Sequence, residues 1–585
     1  LTASTVHLLG SGRVERIFGP PGTGKSTRLK EIIKEIVLDL GPDAVLATSF
    51  TVTAAKSLAA MGLPLPDHQV GTLHSMAYRV VGNMFEVATA SKVIADWNSR
   101  AIREWYVTPN SRSSGPDITA PDGPGGDGGG DGLLAQYDLA RSQFVPTADM
   151  PNAVRRFAAA WEEWKKAADV IDFTDMIRVA LERALNGEPA PGSPRVLIAD
   201  EAQDMTPLEI ALVLAWGVYA DRTIFALDDD QAIMNWRGGN CEPILALGTG
   251  LDGGPQLGVD VVDVPLEQSW RIPASVHMVA QTWIETCSYR QDKDYRPRDE
   301  DGQIYTVSAT IFDEATAEQI AKDVRAGREV MVLASCEYML RPLCKHLKGM
   351  GVPFANRYRP LEGRWNPLRS ANGMTAAERL YRYLIMDERA LGDRSRLWTG
   401  DDVRAWADLV SVKEAGLARG AKAALKMLPA STLDVAQVEG LFTLSDEDLD
   451  LALGPDLSWF MSAVLPSKAD SLRYPERVVR GFGPAALVDP PLCTVGTIHS
   501  VKGGQVGHAE LADGTPARGG VVYLSPDLSP AGYAEWARGG RARDHIIRQF
   551  YVGLTRTYTS CVVLAPLNRN SVPRAELCPK TMQVR

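Results

Sequence analysis

Arg16-Ile17-Phe18-Gly19-Pro20-Pro21-Gly22-Thr23-Gly24-Lys25-Ser26-Thr27 is a short apolar strand running directly into Gly-x-x-x-x-Gly-Lys-Ser, followed by an amphipathic segment. Glycines at 19, 22 and 24 let the backbone curl so that successive N–H groups face one point. The helix that follows turns its positive end toward the same point. Such a concavity suits phosphate. Lys25 is placed to reach the β- and γ-phosphates of a nucleoside triphosphate, and the Ser26 hydroxyl to hold Mg²⁺. The candidate cradle is Gly19, Pro20, Pro21, Gly22, Thr23, Gly24, Lys25, Ser26 and Thr27. The alternative, an ordinary glycine turn, does not require a strand before it and a helix after it. The motif alone leaves the work open, because kinases, GTPases, motors and helicases share it.

Outward from this loop, short apolar runs end in polar residues. Residues 14–18, 44–49, 196–199 and 223–227 read as strands of a buried parallel sheet. Ligands in such sheets gather at the carboxyl ends of the strands. The third run ends in Asp200-Glu201-Ala202-Gln203-Asp204 and the fourth in Asp228-Asp229-Asp230-Gln231. Asp200 is a candidate Mg²⁺ ligand, and Glu201 a candidate to orient and deprotonate an attacking water. Three adjacent acids repel one another and require a cation nearby.

The chain has 585 residues, too many for one core, so three to four domains are expected. Hydrophobic residues make up 45% and charged residues 23%, a globular balance. The net charge is −10, so contact with nucleic acid would need a local basic groove. The seven cysteines contain no Cys-x-x-Cys pair, which argues against a zinc ribbon or an iron–sulfur cluster and suits a reducing cytosol. The longest apolar run, Ile210 to Ala220, is too short to span a bilayer and reads as a buried helix. No signal-peptide pattern is present, so a cytoplasmic protein is expected, from a cell or a virus. The glycine-rich part of residues 113–132 reads as a disordered surface loop. In the helix expected over 152–169, Val154, Phe157, Ala158, Trp161 and Ala168 share one face, with Lys165 and Lys166 on another. A second α/β block is expected from residue 266, with strands at 330–333, 492–498, 521–524 and 561–564. Residues 358–491 turn helical.

Further runs follow in order: Ser49-Phe50-Thr51-Val52-Thr53, Gly71-Thr72-Leu73-His74-Ser75, Asp172-Phe173-Thr174-Asp175-Met176, Asn235-Trp236-Arg237-Gly238, Gln268-Ser269-Trp270-Arg271, Gly496-Thr497-Ile498-His499-Ser500 through Gln505, and Gly553-Leu554-Thr555-Arg556. With the phosphate loop and the acids at 200 and 228, they resemble the ordered motifs of superfamily 1 DNA helicases of the UvrD/Rep/PcrA-like group. The resemblance covers both α/β blocks.

This resemblance implies an α/β fold of two RecA-like P-loop domains with parallel sheets, each carrying a mainly helical insertion. The first domain would span 1–85 and 172–265, with insertion 86–171. The second would span 266–378 and 478–585, with insertion 379–477. It implies ATP and Mg²⁺ as cofactors. Lys25, Glu201, Gln231, Arg271 and Arg556 would act in catalysis, with the two arginines coming from the second block across a cleft. Trp270 would stack on adenine, and Gln505 would lie near the ribose. Phe50, Thr51, Thr72, His74, Trp236, Arg237, Thr497, His499 and Ser500 would contact single-stranded DNA through stacking and phosphate donors. For most of the chain's tryptophans, and for Tyr78, core packing is the better reading.

The implied activity is ATP-dependent translocation and 3′→5′ unwinding, on single strands and duplex–single-strand junctions. The alternative is a DNA-stimulated translocase that remodels protein–DNA complexes without unwinding. Three departures from the family stand out. No glutamine precedes Gln69, Gln505 stands where a glutamate is usual, and Val52-Thr53 replaces Asn-Lys.

Overall fold

The computed structural model describes residues 13–49, 62–82, 85–109, 129–247, 260–359, 363–370, 373–384, 398–427, 433, 435–508 and 516–584. The chain divides into two compact units. The first holds residues 1–304, 528–555 and 570–585; the second holds 305–527 and 556–569.

In the first unit, β1 (Arg13–Phe18), β2 (Val45–Ser49), β3 (Val70–Thr72), β4 (Val196–Asp200), β5 (Arg222–Leu227) and β6 (Val261–Pro265) form one sheet. Its order is β3-β2-β4-β5-β1-β6, and every pairing is parallel. The central strands are mostly apolar because both faces are covered, and the buried charges of β1 are paired, Arg16 with Asp263 (2.6 Å) and Glu15 with Arg222 (2.9 Å). Phe225 and Leu227 join one core, with Leu197 and Ala199; Ile224 and Ala226 join the other, with Val196 and Ile198. This is the period of two expected of a strand. Each fully buried Leu, Ile or Phe contributes roughly 1.5–3 kcal/mol. The run from Ile210 falls in the helix Pro207–Gly217, almost wholly buried and opened by a Thr206/Glu209 capping box. The strands Val70–Thr72 and Val261–Pro265 were absent from the expected set; both lie at sheet edges.

The insertion between β3 and β4 has its own aromatic core, with Trp97, Phe157, Trp161 and Trp164 packed together. Two expectations are corrected there. Lys165 is buried, not on a polar face, because its ammonium donates to Asp172 (2.7 Å) and to Asp175. Ala168 is exposed. The end of the glycine-rich run is not loop: Gly130 starts the helix Gly130–Ser142 and is buried. A Cβ on Gly130 would come within 2.3 Å of the Tyr106 carbonyl, so close packing, not looseness, requires glycine. Residues 113–128 lie outside the described set.

The second unit is built on β7 (Gln303–Thr310), β8 (Glu329–Ala334), β9 (Phe354–Ala355), β10 (Cys493–Thr497), β11 (Gly520–Leu524) and β12 (Ser560–Ala565), in the order β7-β12-β11-β8-β10-β9. The β12-β11-β8-β10-β9 pairings are parallel. Between β9 and β10 a helical module, from Ala376–Leu384 to Pro466–Phe482, closes around Tyr383, Trp398, Trp406 and Phe460. Two six-stranded parallel sheets with covered faces are the architecture of two RecA-like domains.

Candidate nucleotide site and its surroundings

Four strands of the first sheet end on one side, in register: Phe18 opposite Leu227, and Ser49 opposite Asp200. The phosphate loop leaves β1 there. The Gly19 N–H donates to the Leu227 carbonyl (2.9 Å), and the Thr23 hydroxyl to Pro20 (2.9 Å), which ties the loop to its neighbour and to itself. Gly22 has φ of +77°, and a Cβ there would lie 2.4 Å from the Arg271 Cβ. Only glycine permits that approach. Lys25 and Ser26 begin the helix Lys25–Leu40, with their backbone N–H groups at its positive end.

Lys25 donates to Glu201 Oε1 (2.7 Å) and lies 3.7 Å from Asp200. Burial alone would lower its pKa, but Glu201 and Asp200 outweigh burial and hold it above the ordinary lysine range. Burial pushes Asp200 up to about 6 despite Lys25, and Glu201 adds to the rise. Glu201 has φ of +55°, a left-handed backbone that a β-carbon disfavours. Strain of this kind concentrates at functional positions.

Glu201 Oε2 also accepts from the Gln203 amide (2.6 Å), and Gln203 Oε1 accepts from the Asp228 N–H (3.1 Å). Asp228 in turn accepts from the Gln231 amide (2.6 Å). A continuous polar chain therefore runs from Lys25 to Gln231. Gln203, 1% exposed, is its bridge, and no site role was expected for it.

The cation required by Asp228-Asp229-Asp230 is Lys293, whose ammonium lies 3.5, 2.6 and 2.7 Å from the three carboxylates. Arg290 grips Asp230 through Nε (3.0 Å) and Nη2 (2.8 Å). Burial still pushes Asp228 up to about 6, with Asp229 and Asp230 adding to it against Lys293. The same segment supplies Tyr295, whose hydroxyl donates to the Pro21 carbonyl (2.6 Å). The only trace of these partners in the sequence is a charged run, Arg290 to Asp294, after an apolar helix.

Arg271, expected from the second block, lies in the first unit, on the strand Gln268–Pro273 beside the phosphate loop. The cause is local: the Ser269 hydroxyl donates to Pro21 (3.0 Å) and the Trp270 N–H to the Gly22 carbonyl (2.8 Å), which pins this strand to the loop. Arg271 Nε is buried with no hydrogen-bond partner among the described residues. Trp270 is 70% exposed.

His74, Trp236 and Arg237, far apart in sequence, line one cavity of about 80 Å³ in the first unit. Burial and Arg237 lower the pKa of His74 against the pull of Glu209, 3.6 Å away. Tyr78 packs on the core, its hydroxyl donating to Phe85 (2.8 Å). Phe50 and Thr51 lie outside the described residues.

In the second unit, Gly496-Thr497-Ile498-His499-Ser500 repeats the local form of Gly71-Thr72-Leu73-His74-Ser75. In each, the serine N–H donates to the threonine hydroxyl (3.2 Å) and the serine hydroxyl to the threonine carbonyl (2.7 Å at Ser75, 2.8 Å at Ser500). In both, the threonine hydroxyl accepts, and among the described residues it donates to no partner. The Ser500 hydroxyl is engaged on both sides, since it also accepts from Asn356 (3.1 Å). Arg556, 1% exposed, donates to the Gly504 carbonyl (3.2 Å), and the Tyr558 hydroxyl donates to Gln505 (3.4 Å). Arg556 and Gln505 are therefore neighbours in this unit.

A model of the AAA domain family matches residues 4–237, which hold the phosphate loop, Asp200, Glu201 and Gln231. That family is one of P-loop NTPases, common in superfamily 1 helicases. No curated protein matches the chain. The first unit therefore carries a P-loop NTPase domain, whose reaction is nucleoside triphosphate hydrolysis. The donor set fits Mg-ATP: a glycine cradle, a lysine held by two carboxylates, a hydroxyl, and an arginine nitrogen with no partner among the described residues. No described helix is long and apolar enough to cross a membrane.

Proposed function

We propose that the chain is an ATP-driven motor on single-stranded DNA, of the UvrD/Rep/PcrA-like kind, which separates duplex ahead of it in the 3′→5′ direction. The observation that carries the reading is the polar chain from Lys25 through Glu201, Gln203 and Asp228 to Gln231, at the carboxyl ends of three neighbouring strands. Lys25 and Glu201 hold each other in the resting state. Triphosphate oxygens compete for Lys25 and release the Glu201 carboxylate to orient and deprotonate a water. Ser26 and Asp200 would hold Mg²⁺, which when bound offsets phosphate charge. Gln231 exchanges its bond to Asp228 for one to the γ-phosphate or the water. Its strand end leads within a few residues to Trp236 and Arg237, so occupancy of the nucleotide site bears on the cavity shared with His74. The exposed Trp270 offers a face to the base. Arg271 adds a guanidinium for phosphoryl charge.

Strand displacement on partial duplexes with a 3′ or a 5′ single-stranded tail, with ATP and then GTP, tests the reading. Displacement from the 3′-tailed duplex with ATP is expected. ATP hydrolysis stimulated by single strands without displacement would favour a translocase that remodels protein–DNA complexes. Hydrolysis indifferent to DNA would overturn the proposal.

A further inference from the structure

We propose that the second unit holds a nucleic-acid backbone site on the helix Arg341–Gly349; this rests on the reading above that the chain works on single-stranded DNA. Arg341, Lys345 and Lys348 are spaced i, i+4 and i+7, so they share one helix face. With Arg364, Glu337 and Trp365 they line an open cavity of about 430 Å³. Four cations and one carboxylate face this space in a chain whose total charge is −10. Glu337 is drawn to Arg364 (2.8 Å) and Arg341 (3.5 Å). Lys345 and Lys348 have no carboxylate within ion-pair distance among the described residues. Like charges gathered in a concavity raise the local concentration of a polyanion.

The position of the cavity selects the polyanion. β8 lies beside β10 with Ala334 opposite Thr497, and the Ile498 N–H donates to the Ala334 carbonyl (3.0 Å). The turn Glu337–Leu340 and the basic helix leave β8 at the sheet end where Thr497, His499 and Ser500 follow β10. The cationic wall thus continues the edge that carries those candidate DNA contacts. Trp365 is 5% exposed, so it forms wall and offers no open ring for a base. The site reads phosphates and is indifferent to sequence.

The test is binding of a fluorescein-labelled oligo(dT) to the full chain by anisotropy, across a range of KCl concentrations. It compares wild type with Lys345→Ala/Lys348→Ala and with the charge reversal Lys345→Glu. The double variant removes two phosphate contacts, so the slope of log K against log salt should fall by about 1.4, and affinity at 0.1 M salt by roughly tenfold. Lys345→Glu should weaken binding further than Lys345→Ala. Basal ATP hydrolysis and the melting temperature should match wild type, which shows the fold intact. Unchanged slope and affinity in both variants, with wild type binding the oligonucleotide, would overturn this site and leave the motor reading standing. Failure of wild type to bind at all would overturn both.

Discussion

Lys25 sits between two carboxylates, and burial makes one of them, Asp200, hold its proton to higher pH than in the unfolded chain, so the resting site is measurable. Lys25→Ala is expected to abolish ATP hydrolysis. Glu201→Gln should keep ATP binding while turnover falls by about 10²–10⁴-fold. Equal loss of binding and turnover in Glu201→Gln would count against its role as the base. Asp200 has a native value of about 6, against about 3.9 for an unperturbed aspartate. The native state therefore keeps a proton there that the unfolded chain releases. The charged form costs stability above pH ~6, and that cost fades as pH falls through 6. Asp200→Asn should melt higher than wild type at pH 8 without nucleotide, with the gap narrowing toward pH 5. A gap constant across that range would refute the assignment. Trp236→Ala should weaken the stimulation of hydrolysis by single strands more than basal hydrolysis.

At the scale of elements, the segment from Arg290 to Tyr295 braces the site, since it neutralises Asp228–Asp230 and holds the Pro21 carbonyl. Lys293→Met leaves buried carboxylates without their main partner. It should cost about 3–5 kcal/mol in urea unfolding. A loss under 1 kcal/mol would mean the three acids find other compensation. No motif marks this segment, because its partners are distant in sequence and its charges resemble a solvated surface run. The central strands, in contrast, were legible as apolar runs ending in polar residues. The edge strands Val70–Thr72, Val261–Pro265, Gln303–Thr310 and Phe354–Ala355 were not, being short or only partly buried and partly polar.

At the scale of the whole molecule, each unit has its own cores, and so do the helical module of the second unit and the insertion of the first. Trp406, fully buried among Tyr383, Trp398 and Phe442, anchors the module. Trp406→Ala should destabilise the module by about 3–5 kcal/mol. Limited proteolysis should show cleavage within 376–482 well before the first unit is cut, with a fluorescent ATP analogue still bound. Simultaneous loss of both units would show that they do not fold independently of the module.

The phosphate loop, Asp200, Glu201, the alternating α/β order and the strands at the sheet centres were determined by sequence alone. Glycine spacing and short apolar runs act through the local backbone and need no distant partner to be read. The lysine that neutralises the three aspartates, the bridging role of Gln203, the place of Arg271 beside Gly22 and the burial of Lys165 were decided by tertiary structure. Each depends on which strand ends and loops pack together, and the pairing energy of a charge is set by neighbours that chain order does not reveal.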